Sequence, residues 1–187
     1  SIDSKVIGRI RQMKAGTVFT PGDLASLGSR TAVASALSRS RKAGMVKQPA
    51  RGLYQVPERH PVLGELGASP DRIAQALAGN HRLRLQPSGA YAANLLGLSD
   101  QVPFKIVYLT DGTPRKVRLG KQEIVLRRTT PKNMTTAGRV SGLVIQALRY
   151  LGRENVDAEV IRKLRNRLRP GDRAQLAKDV RFAPNWV

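Results

Sequence analysis

Cysteine is absent from the chain, so disulfide frameworks and thiolate metal sites are excluded, and nothing points to an oxidising compartment. Acidic residues are scarce as well: 13 Asp and Glu stand against 33 Lys and Arg, a formal charge of +20 on 187 residues. A charge that large opposes compaction and calls for a polyanionic partner or a dense counterion atmosphere. Aromatic residues make up 4% of the chain, too few for a platform that stacks unpaired bases. No stretch approaches the roughly 18 consecutive apolar residues of a membrane span, and the opening "SIDSKVIGRIRQMKAG" lacks the apolar centre of a signal peptide. The expectation is a soluble, cytoplasmic protein with no membrane partner.

The residue types that carry enzyme chemistry are equally thin. There are two histidines, His60 beside a proline and His81 in a basic run, and no ligand spacing that a metal ion could use. No Asp-x-Asp or Glu-x-x-Glu pair occurs, and both glycine-rich phosphate-binding motifs, GxGxxG and GxxxxGK[ST], are missing. Asp111 in "LTDGTP" is the most conspicuous carboxylate, and Asp-Gly after a strand-like run reads as a turn. No catalytic residue, metal or cofactor is therefore expected, and the chain does not read as an enzyme.

What is present is enough apolar residue, 41%, to fill a core, arranged in recognisable periods. Residues 3–14 read as a short amphipathic helix with Val6, Ile7 and Ile10 on one face. "TPGDLASLG" has Thr20 as N-cap, Pro21 at the first helical position and Gly28 as stop, which predicts about two turns. "SRTAVASALSRSRKAG" predicts a third helix from Ser29 to Gly44, packing through Val33, Ala36, Leu37 and Ser40. Met45–Gln48 and Leu53–Val56 then read as a hairpin around a Pro-Ala-Arg-Gly tip. "PERHPVLGELGASP" (57–70) reads as a linker.

Beyond it the sequence predicts a helix over 70–78, a short strand over 81–85, a helix over 88–96, strands over 104–110, 115–119 and 122–128, and helices over 138–151, 157–168 and 171–180. Asp111-Gly112 and Gly120-Lys121 sit where hairpin turns are expected. The fold class is α+β. A winged helix-turn-helix is expected over 1–58, and a small mixed α/β domain with a short sheet and C-terminal helices over 59–187.

The first part carries the clearest functional pattern. A helix that enters the major groove of duplex DNA needs small or polar residues outward, so that backbone and donors come near base edges. On the third helix, Ala34, Ser35 and Ser38 are small, while Arg30, Thr31, Arg39 and Lys42 can donate. Lys47 opens the hairpin, and Arg51 sits at its tip, where it can reach phosphate or the minor groove. Residues 1–60 hold 11 Lys or Arg against 3 Asp or Glu. In the second part Arg162, Lys163, Arg165, Arg167 and Arg169 crowd one predicted helix, leaving Ile161, Leu164 and Leu168 to pack; this is a candidate second surface for an anionic partner. The competing reading is a scaffold or neutralising protein, in which the first domain and the basic helix contact protein or RNA.

The run "FTPGDLASLGSRTAVASALSRSRKAGMVKQPARGLYQVP" resembles the winged-helix region of AbiEi-type antitoxins, through Thr-Pro-x-Asp-Leu, Gly-Ser-Arg, Leu-Ser-Arg and Arg-Gly-Leu-Tyr-x-Val-Pro. These are transcriptional regulators of bacterial abortive-infection, type IV, toxin–antitoxin systems. The resemblance implies a DNA-binding first domain that represses its own operon. It also implies an antitoxin-like second domain that counters a nucleotidyltransferase-like toxin without necessarily binding it stably. By motif, Ser29, Arg30 and Thr31 would begin the recognition helix, Ser38 and Arg39 would lie on it, and Arg51 would be the wing residue.

Overall fold

The computed structural model describes residues 1–79 and 83–187 of a mixed α+β chain. It divides into two compact units, Ser1–Asn80 and His81–Val187. The sequence boundary at 58/59 is corrected: residues 59–79 belong with the first unit. Two short elements account for this. The stretch read as a linker holds a small antiparallel hairpin. The helix after it lies against the first strand of the unit.

Unit 1 begins with α1, Ile2–Arg11, capped by Ser1, whose side chain accepts from the Ser4 N–H. β1 (Val18–Phe19) leads into a 3₁₀ turn, Pro21–Leu27, where the Thr20 N–H donates to the Asp23 carboxylate at 2.7 Å. α2 (Arg30–Lys42) follows, and its Val33, Ala36, Leu37 and Ser40 are buried at the i, i+3, i+4, i+7 spacing of one helix face. Val6, Ile10, Phe19, Leu24 and Val46 complete this core.

β2 (Lys47–Ala50) and β3 (Leu53–Gln55) form the hairpin, and the sheet order is β1-β3-β2. Ala50 pairs with Leu53, so the tip is the two residues Arg51-Gly52, and Pro49 lies inside the strand instead of in the turn. Proline is tolerated there because β2 is an edge and its missing N–H leaves no ladder partner. Gly52 has φ +76° after an Arg51 that stays at negative φ, the sign pattern of a type II turn, whose third position favours glycine. β4 (Arg59–His60) pairs with β5 (Gly64–Glu65), and α3 (Pro70–Ala78) buries Ile73, Ala74 and Ala76. Arg72 of α3 is held by Glu58 at 2.6 Å.

In unit 2 the strand expected over 81–85 begins outside the described residues, and the strand observed is β6, Gln86–Ser88. α4 (Gly89–Leu95) leads to β7 (Lys105–Thr110), β8 (Arg115–Leu119) and β9 (Gln122–Arg128). The sheet order is β6-β7-β9-β8, with β7 parallel to β9. Gly120-Lys121 is a two-residue hairpin turn, as expected. Asp111-Gly112 is not: the connection it begins steps over the place of β9 to reach the far edge.

The short α5 (Pro131–Met134) precedes α6 (Val140–Leu151). Ser141, Gly142, Ile145 and Gln146 of α6 are buried as well as Val144, Ala147 and Leu148, because α4, α8 and the sheet all pack on it. A Cβ on Gly142 would fall 2.4 Å from the Thr136 carbonyl oxygen, so only glycine lets α6 start this close to the preceding chain. α7 (Ala158–Arg167) and α8 (Pro170–Asp179) close the unit. Asp179, 2% exposed, anchors the end of α8 to the start of α6. Arg139 donates to both of its oxygens at 3.0 and 3.1 Å, Ser141 at 2.5 Å and Gln175 at 3.1 Å.

Candidate nucleic-acid interface

The outward face of α2 is the complement of its packing face. Thr31, Ala34, Ser35, Ser38 and Lys42 recur at i, i+3, i+4, i+7 and i+11, and all are exposed. Arg30 is exposed beside Thr31 in the first turn, and no exposed residue of α2 is a large apolar one. Ser29 has a structural task. Its Oγ accepts from the Ala32 N–H at 3.3 Å and caps the helix. Ser29→Ala should cost about 1 kcal/mol of unit 1 stability, read as a lowered urea midpoint; an unchanged midpoint would show that the cap contributes nothing.

Two of the expected DNA-contacting cations are already engaged. Arg39 donates to Asp3 of α1 at 2.5 Å, across 36 residues of sequence. Lys47 is paired with Glu65 of β5, and this hydrogen bond and charge hold the Glu65 carboxyl below the ordinary carboxylate value. Arg41 donates to Gln48 at 2.6 Å and ties the end of α2 to β2, while keeping its full charge. Among the described residues Arg30, Lys42 and Arg51 make no ion pair. On α2 and the hairpin, the cationic set open to an anion among the described residues is thus Arg30, Arg41, Lys42 and Arg51.

The hairpin tip and the helix meet at one concavity. Pro21, Gly22 and Ala25 of the 3₁₀ turn, Arg30, Val33 and Ala34 of α2, and Gly52 of the tip line a groove of about 620 Å³. Its walls are small side chains and glycine backbone, so an incoming ligand can approach the main chain closely.

The second basic cluster is largely stitched to its own unit. Arg162 and Lys163 pair with Glu159 at 4.0 and 3.4 Å, and Arg169 with Asp172 at 3.0 Å. Arg167 donates to the Leu95 carbonyl at 3.1 Å, at the open end of α4. Arg165 alone of the five has no such partner among the described residues. Leu164 and Leu168 are buried as expected, whereas Ile161 is 41% exposed.

Over residues 5–176 the sequence matches a family described as a family of unknown function (DUF6088). The chain belongs to this family. No curated protein matches this DUF6088 chain. Among its described residues no group of three or more His, Cys, Asp or Glu is placed to hold a metal ion, and no helix is long and apolar enough to cross a membrane. What sequence reasoning missed in the DUF6088 chain is the β4–β5 hairpin. It braces the base of the first hairpin through Lys47–Glu65 and through the Gln55 side chain, which donates to the Leu66 carbonyl at 3.4 Å. The available signal was Gly64, with φ +73°, between two short runs, masked by the density of Pro and Gly around it.

Proposed function

We propose that unit 1 of this DUF6088 chain is a winged helix-turn-helix that docks α2 in the major groove of duplex DNA, with the Arg51-Gly52 tip as its wing. The carrying observation is that the first turns of α2, through Arg30 and Ala34, and Gly52 of the hairpin tip line one groove, which supports helix and wing addressing the same surface. Positive charge supplies capture by phosphate contacts, and Thr31, Ser35 and Ser38 supply donors at base-edge distance once the backbone is close. The motif resemblance to AbiEi-type antitoxins extends the proposal. The chain represses its own operon and counters a nucleotidyltransferase-like toxin encoded beside it, with no stable complex required.

The test is selection of bound duplexes from a random pool, followed by titration of the winning sequence. Arg51→Ala should weaken binding by ~1–3 kcal/mol at fixed salt, and an unchanged affinity would remove the wing from the mechanism. For the antitoxin role, co-expression with the neighbouring gene product should restore growth that the latter alone arrests.

A protein-contact reading draws on the apolar lining of the unit 1 groove. Salt separates the two. DNA binding through the four open cations gives a log–log slope of roughly −4, whereas seating an apolar partner is nearly salt-independent.

A further inference from the structure

α7 and α8 each turn one helical stripe toward a common groove in unit 2. From α7 and its C-cap it is lined by Ile161, Leu164, Arg165 and Leu168, and from α8 and the turn after it by Arg173, Leu176, Ala177 and Val180. Both sets run i, i+3, i+4, i+7, the spacing of a face that packs against another helix. Val144 and Leu148 of α6, one turn apart, make the floor, and the volume is about 460 Å³. Ile161 and Val180 remain 41% and 42% exposed on the two lips, while Leu164 and Leu168 beneath are 6% exposed. The walls have the spacing of helix-packing faces, and Val187 at the end of the chain completes the lining.

The charge around the groove says which kind of helix. Residues 158–182 carry eight Lys or Arg against three Asp or Glu. Each of those carboxylates is taken: Glu159 by Lys163 at 3.4 Å, Asp172 by Arg169 and Asp179 by Arg139, both at 3.0 Å. Arg165 on one wall has no ion pair among the described residues. Arg173 on the other donates to the carbonyls of Leu168 and Arg165, at 3.2 and 3.4 Å, which leaves its charge uncompensated. The trough is apolar, its walls carry Arg165 and Arg173, and each side-chain carboxylate of residues 158–182 is paired.

We infer that this groove docks an acidic amphipathic helix of a partner protein. Apolar residues at i, i+3 or i+4, and i+7 of the partner fill the trough over Val144 and Leu148, and its carboxylates flank them to meet Arg165 and Arg173. The ten residues of α7 set a contact length of about 15 Å, some three helical turns. The groove lies wholly within unit 2, so the inference does not depend on DNA binding by unit 1.

The test uses the full chain and a synthetic helical peptide with leucines at those positions and glutamates flanking them, beside the same peptide with lysine for glutamate. Anisotropy of the labelled peptide gives the affinity. Emission of Trp186, the chain's single tryptophan, packed on the same apolar cluster, gives a second signal. The glutamate peptide should bind saturably, about tenfold or more weaker to Ile161→Asp and to Arg165→Glu, and the lysine peptide should not bind. Both substituted residues are exposed, and unchanged thermal melts confirm that the variants are folded. Equal affinity for the two peptides, no effect of Ile161→Asp, or no binding to the native chain overturns the proposal. So does saturable binding of decanoate without peptide binding, which would assign the groove to a small amphiphile. A self-association abolished by Ile161→Asp would likewise assign it to a second copy.

Discussion

Placing glutamates at Ala34 and Ser38, one turn apart on the outward face of α2, should reduce DNA binding by roughly a hundredfold or more, because like charges set against one another cost several kcal/mol. Both positions are exposed and neither touches the core of Val33, Ala36 and Leu37, so the helix and unit 1 should stay folded. The added side chains also thicken a face whose only bulk at those points is a methyl and a hydroxymethyl, pushing the backbone away from base edges. A titration of the A34E/S38E double variant against the selected duplex, with circular dichroism as the folding control, reads this directly. If affinity falls no further than the loss of two units of net positive charge explains, α2 does not face the duplex and the winged-helix proposal fails. Ser35→Ala is the milder companion. It keeps the surface small and removes one donor, so sequence preference should relax while the salt dependence stays the same.

The second large effect concerns Asp179. Its replacement by alanine should destabilise unit 2 by about 3 kcal/mol, lowering the melting point by roughly 10–15 °C. The carboxylate is almost fully buried and receives donors from Arg139, Ser141 and Gln175. Arg139 is 46% exposed and recovers hydration when its partner is lost, which keeps the cost below that of a fully buried pair. Ser141 is buried and loses its partner outright. Trp186, which packs in unit 2, reports the transition.

The acid branch of stability follows from the same contacts. Burial pushes the Asp179 carboxyl up, but the hydrogen bonds from Ser141, Gln175 and Arg139 outweigh it and hold the group below the usual aspartate value. Its stabilisation is therefore fully present above the unfolded value, about 3.9, and is lost as pH falls through the lower native value. The gap in urea midpoint between the native chain and Asp179→Asn should be full at neutral pH and close in strong acid. A gap that does not change with pH would mean that shape, not charge, is what the asparagine disturbs.

The sequence was most readable where local period and packing agree. The strand runs of β7, β8 and β9 stand within a residue of their expected bounds, and the packing face of α2 is the one its spacing predicts. It was least readable where partners are distant in the chain. Nothing local tells that β7 should run parallel beside β9 while β8 takes the far edge, or that Arg39 meets Asp3. Pro49 misled because proline marks a turn more often than an edge strand, and the density of Pro and Gly hid β4–β5 inside an apparent linker. Of the candidate interface, the small outward stripe of α2 and Arg51 were legible from spacing. The engagement of Arg39 and Lys47 was not, since it depends on which carboxylates tertiary structure brings near. Ile161 was expected to pack and instead stands exposed on a groove lip.

The two larger sheets end in strands that cannot easily accept another. β1 is two residues long, β2 carries Pro49, β6 carries Pro87, and the edge strand β8 carries Arg115, Lys116 and Arg118. Short length, a missing N–H and repelling charge are three separate ways of refusing strand addition. A chain gathered at high local density on a polyanion has its mutual repulsion neutralised by that polyanion. Under those conditions the edges blocked by short length or proline, β1, β2 and β6, keep their barrier to cross-strand aggregation, while β8, guarded by charge, loses part of its own.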